Sequence, residues 1–219
     1  TAFELIERRP LDFAVCHTAG SIAPLEGQHD WHVLMEISSG RSADDARDLT
    51  SDILISAYES TLIEDAAIAA SLGQAEAFWR LRETIPEAQR MEGASIKHDI
   101  SVPVAAIPEF IERAGAAVLE LAPKARIVCF GHMGDGNLHY NISEPEGGDP
   151  DFATLDEAVH ARVHGVVRAL NGSISAEHGI GQMKRDELIA TAPAVGIDLM
   201  RRIKAAFDPA GIMNPGKVI

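Results

Sequence analysis

An α+β domain, with an antiparallel or mixed sheet and helices packed on one of its faces, is the fold class that the sequence predicts. Three observations carry that prediction. Several segments alternate polar and apolar residues with a period of two, others repeat apolar residues at helical spacing, and the two kinds are interleaved along the chain. The third is a glycine-rich histidine segment, Gly131 to His139, flanked on both sides by strand-like residues.

Taken in order, the first thirty residues give no clear pattern. Trp31 to Ile37 sets Trp31, Val33, Met35 and Ile37 against His32, Leu34 and Glu36, which predicts a strand. Ser42 with Asp44 and Asp45 then supplies a helix start, and Ala46, Leu49, Ile53 and Ala57 extend the helical repeat to about Ser60. Asp65 to Ala70 reads as a short strand, and Glu76 to Thr84 as a helix that Pro86 interrupts. A second full strand is expected over Ser95 to Val102. Pro108 suits the first turn of a helix whose apolar face is Ile107, Phe110, Ile111, Ala114, Val118 and Leu121. Arg126 to Phe130 is a strand, Gly134-Asp135-Gly136 a turn, and Leu138 to Ile142 a returning strand. Glu144 to Asp151 is a loop, Leu155 to Leu170 a helix, and Ser173 to Ala176 a strand. The last helix carries Leu199, Met200, Ile203, Ala206 and Phe207 and stops at Asp208-Pro209.

A chain of 219 residues has room for one large domain or two small lobes, and no apolar run approaches the roughly 18 residues of a membrane span. The formal charge of −14 disfavours nucleic acid and anionic membranes as partners. An anionic substrate therefore requires a local cationic pocket. Cys16 and Cys129, isolated and flanked by apolar residues, read as reduced core residues, and a cytoplasmic location fits them. The chain begins at Thr1 without an initiator methionine or a secretory pattern, as a processed product or a piece of something longer would. Gly131-x-x-Gly134-x-Gly136 leads into a strand instead of a helix, so it is not a phosphate loop of the Rossmann or Walker kind.

Across a tight hairpin, the seven-residue spacing of His132 and His139 brings two imidazoles together from facing strands. With Glu177 they make a His2Glu set, the donor chemistry of catalytic zinc, and similar sets hold manganese or iron. Asp135 is an alternative ligand, although in Gly-Asp-Gly it suits the turn better. His178 follows Glu177 directly, and in a regular strand the two would point to opposite faces; Gly179 and Gly181 relax that limit. His178 is then a candidate general base. Cationic candidates are Arg80, Arg82, Lys97, Lys184 and Arg185, of which Arg82 with Lys97 would suit a dicarboxylate.

Five segments, in order, resemble the C-terminal substrate domain of FAD-linked oxidases of the vanillyl-alcohol-oxidase type. They are Trp79-Arg80-Leu81-Arg82-Glu83, Lys97-His98-Asp99-Ile100-Ser101-Val102-Pro103, Gly131 to His139, Ser175 to Gly181 and Phe207 to Lys217. The likeness is greatest to the D-2-hydroxyglutarate and D-lactate dehydrogenase branch. It implies a ferredoxin-like α+β cap, metal ligands His132, His139 and Glu177, and His178 as base. It also implies Arg82, Lys97 and Asn141 as substrate contacts and Asn214 as a cofactor contact. In the hydroxyglutarate enzymes a threonine stands four residues after the arginine, where this chain has Pro86.

On this reading residues 1–219 form one substrate- and metal-binding domain, and the N-terminal FAD-binding domain is absent from the chain. The expected reaction is oxidation of a D-2-hydroxy acid to the 2-oxo acid, with D-2-hydroxyglutarate, D-lactate or D-malate as the substrate types. FAD would be held mainly by a domain of the same or another chain, beside a divalent metal and an electron acceptor, and a homo-oligomer is compatible. The alternatives are a metal-dependent hydrolase built on the His2Glu set and a non-catalytic metal-binding lobe.

Overall fold

A computed structural model describes residues 1–219, which divide into a larger unit, Thr1–Ile174, and a smaller one, Ser175–Ile219. The larger unit holds a mixed-length, antiparallel sheet of six strands: β1 (Ala2–Glu7), β2 (Trp31–Glu36), β3 (Ser95–Ile96), β4 (Asp99–Ser101), β5 (Arg126–His132) and β6 (Asn137–Ser143). Their order is β2-β1-β5-β6-β3, with β4 also paired to β6. The α+β, antiparallel architecture is as the sequence predicts. Helices, however, cover both faces of the sheet.

On one face α1 (Arg8–His17) and α3 (Leu72–Met91) pack Leu11, Phe13, Ala14, Leu81, Ile85 and Ala88 against Ile6 of β1 and Val128 and Phe130 of β5. On the other, α4 (Ile107–Leu121) and α5 (Asp156–Ala169) bury Phe110, Ala114, Val118, Val159, Val163 and Val167 against Leu138, Tyr140 and Ile142 of β6. Each such fully buried large side chain contributes about 1.5–3 kcal/mol over an exposed one. Two separate apolar layers follow from the period-two alternation, which sends neighbouring residues of β5 and β6 to opposite sides.

Local chemistry sets the element ends. Ser42 caps α2 (Ala43–Glu59) by accepting the Asp45 amide at 3.0 Å, and two acidic residues in the first turn favour the helix dipole. The apolar stripe predicted for α2 buries none of its residues: Leu49 and Ile53 remain exposed. Nor does Pro86 end a helix. It lies inside α3, where Ile85 and Ala88 on either side are buried and the packing offsets the one lost backbone hydrogen bond. The expected strand at Asp65 to Ala70 is irregular, exposed chain for most of its length. The strand expected over Ser95 to Val102 is broken at Lys97-His98, and that expected at Ser173 to Ala176 shrinks to one bridge between Ser173 and Ser101.

Glu92, just beyond α3, ties this helix to two other elements. It accepts from Nη1 of Arg126 at 2.6 Å and lies 2.6 Å from Nε2 of His17. The hydrogen bonds of His17 first, and of Arg126 second, hold its carboxyl below the ordinary value of 4.5. A depressed carboxyl stabilises the fold while ionised, above its unfolded value, and loses that contribution as pH falls through its folded value. Glu92→Gln is therefore expected to lower stability near neutrality and to flatten its decline below about pH 4.5. Urea unfolding measured across pH checks this; an unchanged slope would contradict it.

The smaller unit contains α6 (Arg185–Thr191) and α7 (Ala194–Phe207). Asp208 stops α7, and its carboxylate accepts the amides of Ile212 and Met213 at 2.9 and 3.0 Å while pairing with Lys204 at 2.5 Å. No helix of the chain is long and apolar enough to cross a membrane.

Candidate metal and substrate site

The β5–β6 hairpin is closed by a single 3-10 turn, Met133–Asp135, with Asp135 exposed in it, and by Gly136 at φ 72°. A side chain at Gly136 would put a Cβ 2.1 Å from the Val102 carbonyl oxygen, so only glycine fits there. At Gly131 a Cβ would lie 2.4 Å from the Asn137 carbonyl oxygen. These close approaches return β6 along β5 so that His139 stands opposite Phe130, while His132 stands opposite Glu4 of β1. All four side chains face the α1/α3 side. The rings of His132 and His139 meet at 6.2 Å between centroids and 72° between planes, as the hairpin spacing predicts.

Each imidazole has a buried carboxylate near it. Nδ1 of His132 is 2.7 Å from Oε1 of Glu4, a residue only 3% exposed. Donation of the Nδ1 proton to that carboxylate leaves the lone pair of His132 on Nε2. Asp99, 2% exposed and opposite His139 in the β4–β6 register, has Oδ1 4.0 Å from Nδ1 of His139. A carboxylate hydrogen-bonded behind an imidazole, as Glu4 is to His132, orients a metal-ligating histidine and raises its basicity. The pair thus has the donor chemistry that suits a borderline divalent cation. Neither carboxylate is assigned a role from the sequence: Glu4 lies in the segment without a clear pattern, and Asp99 belongs to one of the five resembling segments but is not singled out in it.

Helix α3 lays a polar stripe over the same face. Arg82, one turn before Pro86, donates from Nε to Oε2 of Glu4 at 2.8 Å and stacks over Phe130 at 4.9 Å, so Glu4 bridges Arg82 and His132. Two turns on, Gln89 accepts from Nδ2 of Asn141 at 2.8 Å and donates to Ser143 at 3.0 Å. Oδ1 of Asn141 accepts the His98 amide at 3.2 Å. Arg82 and Asn141 are thus both buried and anchored in the protein. Lys97 is exposed, and partial desolvation, helped by Arg90, lowers its ammonium pKa from the ordinary value.

Glu177, His178 and Asn214 belong to the smaller unit. Glu177 and His178 are exposed in a turn in which Ser175 donates to the Gly179 carbonyl at 2.7 Å and Gly179 and Gly181 take φ 78° and 59°. Here the backbone has left the strand, as the two glycines allow. Asn214, at φ 46°, is exposed and accepts the Lys217 amide at 3.2 Å. Arg185 pairs with Asp186 and donates to the Gly216 carbonyl.

Comparison with known proteins gives a match to the family of FAD linked oxidases, C-terminal domain, over residues 1–218. The chain belongs to this family. Among relatives of the FAD-linked oxidase C-terminal domain, the mitochondrial D-2-hydroxyglutarate dehydrogenase of Arabidopsis thaliana is 34% identical over the whole chain and 38% of its own length. The D-2-hydroxyglutarate dehydrogenase of Stutzerimonas stutzeri is 37% identical over the whole chain and 46% of its own length. A D-2-hydroxyglutarate–pyruvate transhydrogenase of Saccharomyces cerevisiae is 31% identical over the whole chain and 45% of its own length. This FAD-linked oxidase C-terminal domain therefore spans less than half the length of these curated relatives.

Proposed function

We propose that the chain is the substrate- and metal-binding part of a flavin-dependent dehydrogenase that oxidises D-2-hydroxy acids to 2-oxo acids. The observation that carries this reading is the His132–His139 pair, with Glu4 hydrogen-bonded to His132 and Asp99 4.0 Å from His139. Membership of an FAD-linked family supports the flavin. The relatives' names favour a D-2-hydroxyglutarate-like substrate, with D-lactate or D-malate as smaller variants. The flavin is held mainly by a region or chain other than these 219 residues.

His132, His139 and Glu177 hold the metal in this proposal, zinc suiting the donors well and manganese or iron also compatible. When bound, the metal supplies Lewis acidity to the substrate's 2-hydroxyl, and the flavin accepts two electrons with the C2 hydrogen. The chain's own residues do the rest. Glu4 keeps the His132 lone pair on Nε2 by accepting the hydrogen bond of its Nδ1–H. His178 accepts the hydroxyl proton at a ring nitrogen. Arg82 retains four N–H bonds beyond the one given to Glu4, and Asn141 retains one amide proton beyond that given to Gln89. With Lys97 these are the donors for the substrate's carboxylates. Holding C2 in one orientation is the protein's main contribution to rate.

The test is substrate oxidation by the flavin-complete enzyme with an artificial electron acceptor. Turnover of a D-2-hydroxy acid that a chelator abolishes and divalent metal restores is expected. Metal-dependent hydrolysis of ester or amide substrates by the 219-residue chain, with no hydroxy-acid oxidation by the complete enzyme, would overturn the proposal in favour of a hydrolase.

A further inference from the structure

On the opposite face of the sheet, three more histidines converge. His98 sits in the break between β3 and β4, where backbone alternation turns it toward α5, away from Asp99 and His139. His160 and His164 lie one turn apart on α5 and point back at it. The ring centroids are 4.4 Å apart for His98 and His160, 5.5 Å for His98 and His164, and 5.3 Å for His160 and His164. One ring nitrogen from each lies within 4.8 Å of the other two.

From this geometry we infer a second divalent transition-metal site, held by His98, His160 and His164. Nδ1 of His98 is 2.8 Å from the Tyr140 carbonyl oxygen and donates its proton there, so the lone pair is on Nε2, an atom removed from solvent. A backbone carbonyl behind a histidine is the usual way that a ligating imidazole is oriented. Around a tetrahedral zinc the nitrogens stand about 3.3 Å apart at Zn–N distances of about 2.0–2.1 Å. Small rotations of the two helix-borne side chains close the remaining gap. His98 and His164 are 1% and 2% exposed, while the His160 side chain is 25% exposed and gives an ion and its water a route in. Asp156, with Oδ2 3.7 Å from Nε2 of His160, supplies a nearby negative charge.

The ligand chemistry is that of zinc, cobalt or nickel, which imidazoles favour over calcium or magnesium. Bound there, the ion braces α5 against the Lys97-His98 break. It thereby fixes the corner that carries Lys97 and Asp99 on the other face.

The site is independent of the His132–His139 pair, and its test keeps the two apart. In the full chain carrying His132→Ala and His139→Ala, equilibrium dialysis against zinc followed by elemental analysis is expected to find one equivalent of bound zinc. Adding His160→Asn, at the least buried of the three positions, is expected to weaken that binding by at least about tenfold. Its far-ultraviolet circular dichroism in chelator should match that of the parent. Adding His98→Tyr instead should do the same, and cobalt(II) should show a ligand-field spectrum that both substitutions abolish. No zinc in the double variant, or zinc binding unchanged by both further substitutions, overturns the inference.

Discussion

Replacing Glu4 by alanine is expected to destabilise the larger unit by about 3–5 kcal/mol and to weaken metal binding at His132 by about 10–100-fold. Both effects come from one carboxylate. Its side chain is 3% exposed and meets the Arg82 guanidinium, itself 8% exposed, at 2.8 Å. Removing it leaves a buried cation with the Phe130 ring as a weak substitute partner. The two consequences separate in a second variant. Glu4→Ala combined with Arg82→Met removes the stranded charge, so most of the stability returns, while His132 still lacks its acceptor and metal affinity stays low. Urea unfolding and metal titration of the two variants check this. Recovery of affinity together with stability would show that Glu4 acts on the fold alone.

His178→Ala in the flavin-complete enzyme is expected to lower kcat by about 10²–10⁴-fold with little change in metal content. A base acts in the transition state, so kcat and kcat/KM fall together while substrate binding is largely kept. Near-normal turnover would reject the role.

How much of this was readable from the sequence depends on the range of the interactions involved. The β5–β6 hairpin was legible because glycine turn chemistry and seven-residue spacing act locally, and the two rings do meet. Strand β1 was not, because it is central: Glu4, Leu5 and Ile6 are all buried and belong to both faces, which erases the alternation that marks a half-exposed strand. Glu4 was lost with it, and so was the reason that Arg82 is held still. Pro86 misled because local propensity predicts a break, whereas the buried stripe of Leu81, Ile85 and Ala88 continues across it. For α2 the helix forms where it was predicted, but helical periodicity reports an amphipathic helix and not what covers its apolar side. The three-histidine cluster joins residues more than sixty positions apart, and nothing in local sequence pairs His98 with α5.

We propose that His132 and His139 hold a metal ion that substrate oxidation requires. Elemental analysis of the chelated and reconstituted chain tests it most directly, with wild type and His139→Ala treated side by side. The variant is expected to contain one equivalent less of divalent metal than the wild type, and the flavin-complete enzyme bearing it to lose turnover. Equal metal content in the two proteins would contradict the account.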